Sequence, residues 1–276
     1  MTPMPRRPLG STGLETSVLA LGTVKFGRRL GLKYTAPPEL PTDHELHALL
    51  DMAQELGITT LDTAPAYGVS EQRLGSLLAD RGDRDRWLVC TKAGEHFDET
   101  DGPDGSSSFD FSPAGIRASV ERSIVRLRTD VVDVVLLHSS GEDELALFEE
   151  PLDTLRAMQR AGHVRAVGAS TKSPEGGRRC VERCDVAMLT INVEAHADGP
   201  ACAGAARAGV GVLAKKPLAS GSTGDPAASL RFVLAQPGVS AAVVGTTSPD
   251  HLRANAEAAI EACGATDSFT PPPRSR

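Results

Sequence analysis

The sequence predicts an α/β fold of one kind, a (β/α)8 TIM barrel in which eight parallel strands each lead into a helix. Three observations carry this. Eight short apolar runs alternate with longer amphipathic segments, the rhythm of a parallel sheet with crossover helices. Those eight units occupy about 240 residues of a 276-residue chain, the count and length of a single barrel. No Gly-rich dinucleotide fingerprint follows any of the runs, which argues against a doubly wound sheet. At this size roughly three quarters of the unfolded chain's surface can be buried, so no disulfide or metal staple is needed. One domain over residues 1–276 is expected, with a short N-terminal hairpin and a short C-terminal tail from about 265.

The elements follow in order. Residues 3–13 precede the barrel, and 7–11 start a small hairpin that closes its bottom. Strands are expected at 18–21, 59–62, 87–91, 132–138, 166–170, 186–192, 211–215 and 241–246, each apolar and bounded by turn residues. Helical periodicity marks 45–56, 113–127, 152–161 and 249–262, the last with Pro249 in its first turn after a capping Ser248. Two stretches read as irregular. Residues 29–42 hold Tyr34, Pro37, Pro38 and Pro41, and the acidic, Ser/Gly-rich 98–112 follows the strand of Lys92. Both belong on the carboxyl face of a barrel, where substrate loops lie. The Pro-rich segment 270–276 is expected to fray.

Net charge is −7 with both signs interspersed, which fits a soluble protein and argues against a nucleic-acid partner. Five cysteines without framework spacing suit a reducing compartment, and Cys180 with Cys184 reads as two ordinary thiols rather than a metal pair. The first ten residues carry Arg6 and Arg7 but no apolar run after them, unlike a secretory leader, and no stretch approaches a membrane span. A cytoplasmic location is expected, with no metal, no membrane partner, and a monomer or weak oligomer.

Four titratable residues stand out because of where they fall. Asp62 ends one apolar run and Tyr67 follows five residues later, in Leu61-Asp62-Thr63-Ala64-Pro65-Ala66-Tyr67-Gly68. Lys92 ends Val89-Cys90-Thr91-Lys92, and His138 ends Val134-Val135-Leu136-Leu137-His138. Each has an ordinary role when taken alone: a turn cap, a packed ring, a solvated charge, a strand-end histidine. Together, at the carboxyl ends of successive strands, they form a proton-transfer set.

These four positions resemble the catalytic tetrad of the aldo-keto reductase superfamily, over residues 8–259 or so. The resemblance implies reduction of a carbonyl or oxidation of an alcohol with a nicotinamide cofactor supplying hydride. Tyr67 would give the proton in reduction and take it in oxidation. A free phenol has a pKa of about 10, so the Lys92 ammonium is expected to lower it toward a useful range. Asp62 would hold and balance Lys92, and His138 would donate a hydrogen bond to the carbonyl oxygen. A metal-dependent or Schiff-base barrel enzyme with Lys92 recast as nucleophile is a further chemistry that these residues leave open.

The resemblance also carries cofactor positions. Gly22 and Thr23, ahead of Val24, match the start of the cofactor cleft, and Ser170 matches the serine that holds the nicotinamide carboxamide. Thr171 stands where the family has asparagine, Met188 where it commonly has glutamine, and Asn192 keeps a later asparagine. Lys215, followed by Lys216, Pro217 and Leu218, replaces the aromatic that often stacks on nicotinamide. Gly245, Thr246, Thr247, His251 and Asn255 match the adenosine end, where NADPH-specific relatives often carry Lys and Arg at the positions of Gly245 and His251. NADP(H) is favoured, with NAD(H) as the alternative. Phe109-Asp110-Phe111-Ser112 and Arg126 to Asp130 resemble branches that include sugar dehydrogenases.

The function expected is therefore NAD(P)(H)-dependent interconversion of an aldehyde, ketone or sugar with an alcohol. The alternative is a cofactor-binding regulatory or interaction subunit with little turnover, suggested by Met188 and Lys215. Tyr34, His96, Phe97, residues 98–111 and His196 are candidates for shaping specificity, and Trp87, at the start of its strand, is placed away from the site.

Overall fold

The structure, a computed structural model, describes residues 2–32, 38–221 and 223–264. Tyr34, Pro37 and the tail from 265 lie outside the described residues. The chain opens on the expected hairpin, β1 (Arg6–Pro8) antiparallel to β2 (Glu15–Ser17). Next come β3 (Leu19–Gly22), β4 (Thr60–Asp62) and β5 (Leu88–Ala93), then a second hairpin of β6 (Glu95–Asp98) with β7 (Ser106–Phe109). The remaining strands are β8 (Val132–His138), β9 (Val164–Ser170), β10 (Val186–Thr190), β11 (Gly211–Lys215) and β12 (Val239–Gly245). All but the two hairpins pair in parallel in sequence order, and β12 returns to β3 from Ala242↔Leu19 to Gly245↔Gly22. The result is the eight-stranded closed barrel.

Helices α1 (Val24–Gly27), α2 (Asp43–Glu55), α3 (Ser70–Arg81), α4 (Pro113–Leu127) and α5 (Glu150–Arg160) lie in the first four barrel connections, α1 and α2 sharing the first. They are followed by α6 (Pro174–Arg183), α7 (Gly199–Ala208), α8 (Pro226–Leu234) and α9 (Pro249–Gly264). Their starts are written in side-chain chemistry. Thr42 and Glu45 form a reciprocal capping box on α2, and Ser112 accepts from Gly115 N ahead of Pro113. Ser173 and Asp225 cap α6 and α8 the same way, each just before a proline.

Strand periodicity divides the core in two. Outward residues such as Val135, Leu137, Val167, Ala169 and Leu189 pack against the helices. Inward residues Ala20, Leu88, Cys90, Val134, Leu136, Ala166, Val186, Met188, Leu213, Ala241 and Val243 fill the barrel, joined from below by Leu9 and Leu14 of the first hairpin. Arg7 fastens that hairpin to the last units, donating to Leu234 O at 3.1 Å and Val239 O at 2.7 Å.

Two expectations need correction. Residues 98–112 are not wholly irregular, because Ser106–Phe109 pairs with Glu95–Asp98. The serines carry no apolar alternation, so backbone pairing and the Ser107 Oγ bond to Glu95 Oε1 (2.6 Å) leave no periodic signal in the sequence. The sixth barrel strand stops at Thr190, short of 192, because Asn192 Oδ1 accepts from Glu194 N and Ala195 N and turns the chain.

Candidate active site

Counting by twos up each strand from the filled interior identifies what faces the carboxyl-end mouth. Cys90 leads to Lys92, Leu136 to His138, Ala166 through Gly168 to Ser170, and Leu213 to Lys215. Ala20 leads to Gly22, Val243 to Gly245, and Asp62 ends its short strand beside them, in register with Gly22 and Cys90. One inward layer thus gathers Gly22, Asp62, Lys92, His138, Ser170, Lys215 and Gly245. Period two puts them there, not their own chemistry.

Within that layer Lys92 Nζ donates to Asp62 Oδ1 and to Thr63 O, both at 2.8 Å, and is fully buried. Burial alone would push the ammonium down, but Asp62 and neighbouring groups reverse this and hold Lys92 charged. Tyr67 rides on the loop after β4, with the Lys92 ammonium 4.7 Å from its ring centroid and the His138 ring edge-on at 6.2 Å. That loop is pinned from behind. Ser70 Oγ meets Thr23 Oγ1 at 2.8 Å and Thr63 Oγ1 at 3.1 Å, and Gly68, at φ +61°, lies against Gly27.

The expected lowering of the phenol is corrected. Burial pushes Tyr67 up, Lys92 pulls it down, Asp62 adds to the rise, and the phenol ends at about 12. Tyr67 therefore keeps its proton at neutral pH, and giving it up depends on the Lys92 ammonium beside the ring to stabilise the phenolate. Nothing in the sequence disclosed the balance, because it depends on how completely the ring is enclosed.

Sequence reading missed Glu95, three residues beyond Lys92 on β6. Its Oε2 approaches His138 Nδ1 to 2.6 Å, off the ring's N–H axis, so the contact is one of charge rather than an aligned hydrogen bond. Burial would raise the Glu95 carboxyl, but His138, Ser107 and Arg28 bring it to about 2. Burial lowers His138, more than Glu95 raises it, with Lys92 and Lys215 adding to the fall. A carboxylate against Nδ1 favours the tautomer protonated there, leaving Nε2 a donor only when the ring takes a second proton. Arg28 was also missed. It donates to Ala66 O at 3.1 Å beside Tyr67, and its guanidinium lies 3.4 Å over the Phe97 ring. His96 is exposed, and His196 sits edge-on to Phe232 at 6.0 Å.

The positions matched to a cofactor divide into those at the mouth and those spent on structure. Lys215 Nζ donates to Ser170 Oγ at 3.0 Å and Thr171 O at 2.5 Å, while Thr171 Oγ1 is buried without a partner. Gly22 and Gly245 pair in register, and a Cβ on Gly245 would meet nothing nearer than 3.7 Å. Beyond them Thr246 Oγ1 accepts from Ser248 N at the start of α9, with Thr247 half-buried, His251 exposed and Asn255 buried. By contrast, Thr23 is fully buried and donates to Asp62 O, and Met188 lies one layer down in the barrel filling. Asn192 donates to Lys216 O, Pro217 O accepts from Ser229, and Leu218 packs on the core. Among the described residues no cluster of His, Cys, Asp and Glu could hold a metal, and all five cysteines are buried thiols outside any disulfide.

The sequence model described as the Aldo/keto reductase family matches residues 18–225, from the first barrel strand into the last third of the chain. The chain belongs to the aldo/keto reductase family. Aldo-keto reductase YhdN of Bacillus subtilis is 32% identical over 169 residues, which is 60% of this chain and 47% of YhdN. D-threo-aldose 1-dehydrogenase of a Pseudomonas species is 32% identical over 168 residues, 54% of this chain and 51% of that protein. The chain thus spans about half the length of these curated relatives in the matched segments. A solved structure of PA4992 from Pseudomonas aeruginosa, provisionally assigned as an aldo-keto reductase, superposes with a TM-score of 0.83 at 45% identity, over 94% of this chain and 96% of that one. In this aldo/keto reductase no described helix is long and apolar enough to cross a membrane.

Proposed function

We propose that the chain is an NAD(P)(H)-dependent oxidoreductase that interconverts a small aldehyde, ketone or sugar carbonyl with an alcohol, with Tyr67 as the acid and base. One observation carries the reading: Asp62, Lys92, Tyr67 and His138 converge at one mouth, with Lys92 bridging the carboxylate and the phenol's ring. A nicotinamide cofactor, when bound, supplies or accepts the hydride. Ser170, the orphaned Thr171 hydroxyl, Gly22, Gly245 and the Thr246-Thr247 turn fit such a group, and Lys215 must release Ser170 to admit its carboxamide.

The chain's own residues handle the proton. Tyr67 donates to the carbonyl oxygen, and the Lys92 ammonium stabilises the phenolate left behind. Asp62 keeps that ammonium charged in a buried site. With its pKa near 12 the phenol is protonated at neutral pH, the form that reduction uses, and the phenolate that oxidation uses grows with pH. The family resemblance favours NADP(H) as the cofactor, and NAD(H) is the alternative because neither Gly245 nor His251 offers a Lys or Arg to a 2′-phosphate.

Likeness to sugar dehydrogenases supports trying aldoses first. Tyr67→Phe should lower turnover with NADPH by at least about 100-fold. Calorimetry should find cofactor affinity nearly unchanged. Wild-type turnover in that variant would defeat the assignment. The second reading, a cofactor-binding regulatory subunit, is favoured only by Lys215 occupying Ser170; tight cofactor binding with negligible turnover across carbonyls would select it.

A further inference from the structure

Two lysines face the same mouth, and their surroundings are opposite. Lys92 is tied to a carboxylate at 2.8 Å. Lys215, on the far wall, is bonded only to neutral oxygens, Ser170 Oγ and Thr171 O, and among the described residues no carboxylate stands in ion-pair contact with it. A neutral amine has two N–H bonds and one lone pair. Those two acceptors use both hydrogens and leave the lone pair unengaged.

The groups bearing on Lys215 from the surrounding elements are Lys216 beside it, Lys92 and His138 across the mouth, and the more distant Glu144 and Asp198. Enclosure acts first, and the two ammoniums add to it, so the amine sits at about 7 despite the pull of the two carboxylates. Desolvation beside another cation is how proteins make a lysine nucleophilic at neutral pH. Its place is also right. Ser170 is the register partner of His138 on the neighbouring strand, so the amine held on Ser170 stands one strand from the ring expected to meet a carbonyl.

We propose that Lys215 is a nucleophilic amine that forms an imine with an aldehyde or ketone in this mouth, an activity distinct from hydride transfer. This rests on the proposed reading only in taking carbonyl compounds as the ligands. The Nζ lone pair attacks the carbonyl carbon, and the C–O π pair moves to oxygen. The oxygen leaves as water with the two amine hydrogens, and a C=N bond remains. No oxidant or reductant is consumed. Lys92, held as an ammonium by Asp62, is excluded from the role that the sequence left open for it.

The test uses cofactor-free full-length protein with sub-stoichiometric propanal and sodium borohydride at pH 7, followed by peptide mapping. Borohydride adds hydride to the imine carbon and fixes the adduct as a secondary amine. An ordinary lysine is less than about 0.1% unprotonated at pH 7, so occupancy at Lys215 should exceed that at exposed Lys172 by more than tenfold. In Lys215→Met that adduct should vanish, while the labelling of Lys172 stays unchanged. Equal labelling of all lysines, or a preference for Lys92, overturns the proposal, and the wild-type map decides it if the variant does not fold. NADPH oxidation with the same aldehyde is measured separately. An adduct without turnover would sink the oxidoreductase reading alone, and turnover without an adduct would sink this one alone.

Discussion

At the residue scale, the buried Lys92–Asp62 pair is where charge and fold depend on each other most. Replacing Lys92 by Met leaves Asp62 enclosed with no counter-charge, a change that typically costs about 3–5 kcal/mol. Chemical denaturation should show that loss, and adding Asp62→Leu should restore part of it; additive losses would mean the pair is not a unit. Glu95 lends itself to a different measurement. In the wild type the fraction of His138 able to donate from Nε2 falls about tenfold per pH unit above a pKa that burial has lowered. In Glu95→Gln an amide can donate to Nδ1 and move the ring proton to Nε2, so kcat/KM for reduction should lose that fall with rising pH. An unchanged profile would remove Glu95 from the chemistry. Asp62, Tyr67, Lys92 and His138 were legible from sequence because each follows an apolar run at a fixed offset. Glu95 and Arg28 were not, since one sits on a polar hairpin and the other on a loop, and only the folded mouth brings them to His138 and Tyr67.

At the element scale, the loop bearing Tyr67 is positioned by a close backbone contact as well as by the Thr23, Thr63 and Ser70 hydroxyls. Gly68 takes φ +61°, and a Cβ there would stand 2.1 Å from Gly27 O. Gly68→Ala must therefore separate α1 from the loop. A shift near 1 Å at a reacting group can cost about 100-fold, so turnover should fall by that order while circular dichroism stays native. If turnover survives, the loop is more compliant than its packing implies. Helix starts were the readable part of the elements: Ser112-Pro113 and Ser248-Pro249 mark α4 and α9 at the expected residues, since a cap and a proline are local features. The β6–β7 hairpin was not readable. Its stabilisation comes from pairing and from Ser–acid bonds, which leave no hydrophobic period.

At the scale of the whole molecule, eight alternating units without a Gly-rich fingerprint sufficed to name the barrel over a doubly wound sheet, the other arrangement that buries parallel apolar strands under helices. The five cysteines are spread across β5, α6 and its end, α7 and α9, all buried and none in a disulfide. Alkylation by iodoacetamide should therefore be slow in native buffer and, for Cys90, Cys180 and Cys202 at 0% exposure, proceed at a common rate set by global opening. Widely different rates among those three would show separately opening parts. The seam between β12 and β3 has a consequence for how such a chain is made. Gly22 and Gly245 are hydrogen-bonding neighbours about 220 residues apart, so β3 leaves the ribosome long before the partner for its second edge exists. Until β12 arrives, that edge is a template for any other extended chain nearby, and the yield of native protein should depend on how crowded the nascent chains are.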